Sequence, residues 1–168
     1  THETLLFACG KLASVKQNWM VAADLLGKSY AKNPNHQQCC FLLGTALQRL
    51  GEMESARLML ERSVLLDNLN RFCIRLTQVP ASNRSQIVAL ANQIASSLEG
   101  LERFREAGEW YFRAYQLNPD QTEFLAKREQ MRARVNNTKP TLHVDFLLRN
   151  GTLPTIDPTS SIERDPLI

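Results

Sequence analysis

The chain has 168 residues, 43% hydrophobic and 22% charged, which is long enough to bury a core and too apolar for a disordered or fibrous chain. Its 20 Lys and Arg against 17 Asp and Glu give a net charge of +3, with both signs interleaved, too weak a bias to imply nucleic acid. The longest strongly apolar stretch, residues 39–47, is broken by Gln48 and Arg49 and falls short of the ~18–20 residues a membrane-spanning helix needs, so no membrane insertion is expected.

From the N-terminus onward, small and apolar residues recur at a fixed period. Gly10 and Gly44, Ala22 and Ala56, Leu26 and Leu60, and Ser29 and Ser63 are each 34 residues apart. In residues 3–36, Cys9-Gly10, Ala13, Ala22, Leu26 and Ser29 precede Asn33-Pro34. In residues 37–70 the series is Leu43-Gly44, Leu47, Gly51 at a turn, Ala56, Leu60, Ser63 and Asp67-Asn68. Residues 71–87 then add about half a period. Residues 71–77 continue the preceding helix, and residues 79–83 read as a turn with Ser82 or Ser85 available to cap the next helix. In residues 88–121 the series returns as Ile94-Ala95, Leu98, Ala107, Tyr111, Ala114 and Asn118-Pro119. The glycines and alanines let paired helices approach closely, and Pro34 and Pro119 end theirs by lacking a donor.

Asp120 with Glu123 predicts a helix start, and Phe124, Leu125, Met131 and Val135 fall on one side of a helix over 122–135. From Asn136 on, Pro140, Asn150-Gly151, Pro154, Pro158 and Pro166 predict a mostly extended tail, residues 136–168.

The 34-residue pattern L-G-x-x-Y, A-x-x-x-F, P resembles the tetratricopeptide repeat, a helix-turn-helix unit. The likeness covers about two thirds of the chain. It lacks the family's early tryptophan, whose place is held by Leu6, Cys40 and Ala91. It implies an all-α fold, a right-handed α-solenoid of about three helix hairpins over residues 1–135. The units are 3–36, 37–70 and 88–121, with an insertion at 71–87, a capping helix at 122–135 and an extended tail. A cap is expected because the last unit would otherwise leave its apolar face in water.

Residue types that carry chemistry are scattered. His2, His36 and His143 have no metal-ligand spacing to a cysteine or carboxylate, and there is no G-x-S-x-G, phosphate-cradling glycine loop or H-E-x-x-H. Neither an enzyme, a metal nor a cofactor is expected. Cys9, Cys39, Cys40 and Cys73 have no C-x-x-C spacing and read as reduced core cysteines, which favours the cytoplasm. Three N-x-S/T patterns, at Asn83, Asn136 and Asn150 in expected loops, point instead to a secretory or lumenal protein. The chain opens on Thr1 rather than methionine, which leaves a preceding segment open. Lys127, Arg128, Arg132 and Arg134 share their helix with Glu123 and Glu129 and read as a solvated face.

The resemblance implies a protein-interaction module or scaffold that binds a peptide or helix of a protein partner in a concave groove lined by the first helix of each unit. Its positions are Thr4, Phe7, Lys11 and Ser14; then Gln38, Phe41, Thr45, Gln48 and Arg49; then Ala89, Asn92, Gln93, Ser96 and Glu99. The partner-binding candidates are Phe7, Lys11, Gln38, Phe41, Thr45, Gln48, Arg49, Asn92, Gln93 and Ser96. The subclass that clamps a chaperone's C-terminal carboxylate needs Lys, Asn, Asn, Lys and Arg where this chain has Phe7, Lys11, Leu42, Ala89 and Gln93, so a chaperone tail is not expected. Two phenylalanines beside amides suit a ligand with apolar anchors, or the chain's own Leu142, Val144, Phe146, Leu147 and Leu148. The alternative is a structural spacer or self-association segment of a larger protein, forming homo-oligomers or a larger complex.

Overall fold

The computed structural model describes residues 2–137, which form seven α-helices: α1 (His2–Val15), α2 (Trp19–Lys32), α3 (Gln37–Arg49), α4 (Met53–Gln78), α5 (Arg84–Gly100), α6 (Phe104–Leu117) and α7 (Glu123–Asn137). Each helix packs on the next, and α1 also touches α3, so the helices stack as hairpins along a solenoid.

The three hairpin turns are copies of one another. The amides of Asn18, Glu52 and Arg103 donate five residues back to the carbonyls of Ala13, Leu47 and Leu98 at 2.9, 3.0 and 2.9 Å, closing α1, α3 and α5 with the same six-residue motif. The residue before each donor is left-handed: Gln17 (φ 58°), Gly51 (φ 83°) and Glu102 (φ 62°). Only the middle unit places glycine there, where the conformation costs a side chain most. The expected small residues matter at the helix crossings. A Cβ added at Gly10 would sit 2.7 Å from Leu26 Cγ, and one at Gly44 2.8 Å from Leu60 Cγ, so each pair of helices meets at van der Waals distance only through glycine.

Two apolar clusters hold the stack. The first joins α1 to the N-terminal half of α4, with Leu26, Tyr30, Cys39, Leu43, Leu47 and Met59 at its centre. The second joins α5, α6 and α7 around Ile94, Tyr111, Phe124 and Met131, and takes Leu69, Phe72 and Leu76 from α4. The stretch 71–87 is therefore no separate element. Its first part is the far end of α4, whose 26 residues reach both clusters, and its last part is the first turn of α5. The N-cap of α5 is Asn83, whose Oδ1 accepts from the Gln86 amide at 3.3 Å, rather than Ser82 or Ser85. Two buried serines repeat one contact: Ser29 Oγ donates to Glu3 Oε1 (3.2 Å) and Gln37 Nε2 donates to Ser63 Oγ (3.1 Å), each between residues 26 apart.

Other expectations are corrected. Val135 is exposed, since only Phe124 and Met131 of the α7 stripe are buried, with Leu125 half-buried. Asn136 and Asn137 continue α7, so the acceptor asparagine lies on a helix, not in a loop; residues 138–168, with Thr138 of that pattern and the rest of the expected tail, lie outside the described residues. Cys39 and Cys40 are buried as expected, but Cys9 and Cys73 are exposed, each on a helix side that no other described helix covers.

Burial pushes the Cys39 thiol up to about 11 and Cys40 to about 12. Two thiols per folded chain, Cys9 and Cys73, are expected to react promptly with a thiol reagent near neutral pH, and all four after unfolding. The raised values also set a sign: the unfolded thiols ionise from the ordinary 9.0 upward while the folded ones stay protonated, so stability falls as pH rises above 9. Four fast thiols in the native chain would contradict the first cluster.

Candidate partner-binding groove

The first helices of the hairpins, α1, α3 and α5, carry the ten candidate residues, and the structure sorts them into two patches. On α1 and α3, which touch, Lys11, Gln38, Gln48 and Arg49 are exposed and Thr45 is half-buried. Phe7 and Phe41 are one period apart but differ. Phe7 is half-buried against the first cluster, its ring 4.3 Å from that of His36 and tilted by 55°. Phe41 is 50% exposed. The Thr45 hydroxyl donates to the Phe41 carbonyl at 2.9 Å and so is spent on its own helix. The Arg49 guanidinium lies 5.8 Å from the Trp19 ring centre, a cation–π contact that holds the charge at the open end of α3.

The second patch is on α5, which packs on α4 and α6. Gln93 and Ser96 are exposed and Asn92 is half-buried. Asn92 borders a depression of about 260 Å³ between α5 and the start of α7, shared with Ser85, Ala89, Asn118, Gln121 and Phe124. Its Oδ1 is buried and no described protein group donates to it. A buried acceptor left unpaired costs roughly 1–3 kcal/mol. Ser96 and Glu99 face the hydroxyl of Tyr111. That hydroxyl donates to Glu99 Oε2 at 2.9 Å, and Glu99 Oε1 accepts from Arg134 Nη1 at 2.9 Å, which ties α5, α6 and α7 together. Burial pushes the Tyr111 phenol above its usual value.

The basic residues of α7 are not a plain solvated face. Lys127 Nζ lies 5.1 Å from the Tyr111 ring centre, Arg128 lies 4.0 Å over Phe112, and Arg134 lies 5.4 Å over Phe104. The partners sit on α6, so no spacing within α7 signals them. His36 links two elements, bringing Nδ1 to 3.4 Å from Glu3 Oε1 while its ring packs on Phe7. Among the described residues, no three His, Cys, Asp or Glu side chains gather as a metal site would require, and no helix is long and apolar enough to cross a membrane.

This architecture is an α-solenoid of helix hairpins. Residues 37–68, the α3–α4 hairpin, match the family model of the tetratricopeptide repeat, a repeat class that serves in protein-interaction scaffolds. No curated protein matches it. Among solved structures it is similar to the Arabidopsis OM64 TPR domain, at 16% identity and a TM-score of 0.39 over 79% of this chain and 95% of that one.

Proposed function

We propose that the chain binds an extended peptide or helix of a partner protein along the groove of α1, α3 and α5, across units 3–36, 37–70 and 88–121. The observation that carries this reading is Asn92 Oδ1, an unpaired buried acceptor at a groove position, beside a depression large enough for a side chain. A peptide N–H or amide is the donor it lacks. Phe41 supplies an exposed aromatic anchor, with Gln38, Gln48 and Arg49 as polar neighbours, so the ligand has at least one apolar anchor and modest polar pairing. The two patches are separated by the half-unit that lengthens α4, which favours a ligand spanning both over a short clamped tail. A reducing compartment, the cytoplasm, suits the exposed free thiols Cys9 and Cys73.

The test is selection from a displayed random-peptide library, followed by affinity measurements on three proteins shown to be folded by circular dichroism. Phe41→Ala with Arg49→Glu is expected to lower affinity for the enriched peptides by ~10-fold or more. Asn92→Ala is expected to weaken binding by about 10-fold while leaving the melting temperature unchanged or higher, because it removes an unsatisfied group. No enrichment, or equal affinity for all three proteins, sinks the groove reading. Loss of stability in Asn92→Ala would make that residue structural.

A further inference from the structure

The depression beside Asn92 has a chemical character of its own. It holds about 260 Å³, several times the ~30 Å³ that one water occupies in the liquid, and so admits a whole side chain. Its floor is apolar: Val88 and Phe124 belong to the second cluster and are 8% and 2% exposed. Around that floor stand acceptors. Asn92 Oδ1 is buried, with no donor among the described residues. The Ser85 hydroxyl gives its proton to Asn83 Oδ1 at 3.2 Å, which leaves only its lone pairs for a ligand. Glu123 adds a carboxylate that no described group pairs with. No lysine or arginine is among the residues that line the depression, so Glu123 sets the sign of its charge. The helix ends do not reverse that sign. α6 ends at Leu117 and α7 starts at Glu123, so partial charges of opposite sign flank the short loop between them. Outside the lining, exposed Arg84 and Asp120 offset each other.

We infer that this depression receives a basic side chain, lysine or arginine, of the bound partner. The inference rests on the groove reading for the source of that side chain, a protein ligand, and adds its chemistry. The aliphatic stem covers Val88 and Phe124 while the cationic head donates to Asn92 Oδ1 and faces Glu123. An amide would satisfy Asn92 but leave the carboxylate without a counter-charge. An apolar side chain would bury Asn92 Oδ1 deeper and still unpaired, and an acidic one would meet lone pairs and a like charge. Glu123 is exposed and its attraction is screened by water, so most of the selectivity is expected from Asn92.

The experiment is an NMR titration of the isotope-labelled full chain with four blocked amino acids, the Nα-acetyl N-methylamides of lysine, arginine, norleucine and glutamine. Lysine or arginine is expected to move the Asn92 side-chain amide and the backbone amides of 88–92 and 121–124, and to bind at least ~5-fold more tightly than norleucine or glutamine. Glu123→Gln, a change at an exposed position that is expected to fold as the parent does, should weaken the basic derivative by about 2–5-fold. Asn92→Ala should abolish the preference for it. Norleucine or glutamine binding as tightly as the basic derivatives, or no derivative moving those resonances up to its solubility limit, overturns the inference. The groove reading is judged separately. Library peptides that lose affinity for the Phe41→Ala/Arg49→Glu chain, yet keep full affinity when each of their basic residues is replaced by norleucine, uphold the groove and overturn the basic-side-chain receptor. Basic derivatives that bind here while no peptide enriches uphold the receptor and sink the groove.

Discussion

Tyr111→Ala is expected to destabilise the chain by about 3–5 kcal/mol, a fall in melting temperature of roughly 10–20 °C. The ring is fully buried in the second cluster between α5 and α7, and Lys127 lies over its face. Truncation leaves a cavity that three helices would have to close. The hydroxyl contributes less. Tyr111→Phe removes the donor to Glu99 Oε2, but Glu99 keeps Arg134 and is only half-buried, so a loss of about 1–2 kcal/mol is expected. Ring burial should therefore outweigh the hydrogen bond by about threefold. In a solenoid, stability is nearly a sum of neighbour terms, so the loss should be local. Amide exchange is expected to quicken in α5, α6 and α7 far more than in α1–α3. Equal acceleration in all helices would show that the two clusters unfold as one.

How far the sequence could be read follows from the same physics. Features that repeat within one helix pair were legible: Gly10 and Gly44 under Leu26 and Leu60, the buried Ala22, Ala56 and Ala107, and the turn ending at Gly51 all follow from a 34-residue spacing. The half-period at 71–87 was legible as an interruption, but its role was not. That α4 continues far enough to give Leu69, Phe72 and Leu76 to the second cluster depends on packing between units. The left-handed Gln17 and Glu102 were hidden because only Gly51 advertises that conformation. Contacts between helices left no sequence trace either, as with Arg128 over Phe112, His36 on Phe7, and the orphaned Asn92 acceptor. Periodicity located the groove positions; it could not tell that Phe7 is packed while Phe41, one period on, stands half in solvent. It also assigned Cys9 to the core from its place in the apolar period, where Leu43 and Ile94 are buried but Cys9 is exposed.

Glycine to alanine in the middle of a helix ordinarily gains up to about 1 kcal/mol from helix propensity, and two glycines here are expected to answer with opposite signs. At Gly108 in α6 an added Cβ would meet Met131 Cβ at 3.5 Å, an ordinary contact, so Gly108→Ala should stabilise by about 0.5–1 kcal/mol. At Gly44 it would meet Leu60 Cγ at 2.8 Å, Leu60 Cδ2 at 3.0 Å and the Ala56 carbonyl oxygen at 3.2 Å. Leu60 is half-buried and can rotate in part, but the Ala56 carbonyl is held in the ladder of α4, so the helices must separate. Gly44→Ala is expected to cost about 1–2 kcal/mol net, and Gly44→Val, with two more carbons and a stiff branch, about 3 kcal/mol or more. Making room should rescue part of the loss. In a double-mutant cycle with Leu60→Ala, Gly44→Ala is expected to cost roughly 1 kcal/mol less than it does alone. Melting or denaturant curves of the four proteins supply the cycle. Strict additivity would mean that the Ala56 backbone rather than the Leu60 side chain sets the distance between α3 and α4, while a stabilising Gly44→Ala would mean that the hairpin tolerates a wider crossing than its repeated glycine implies.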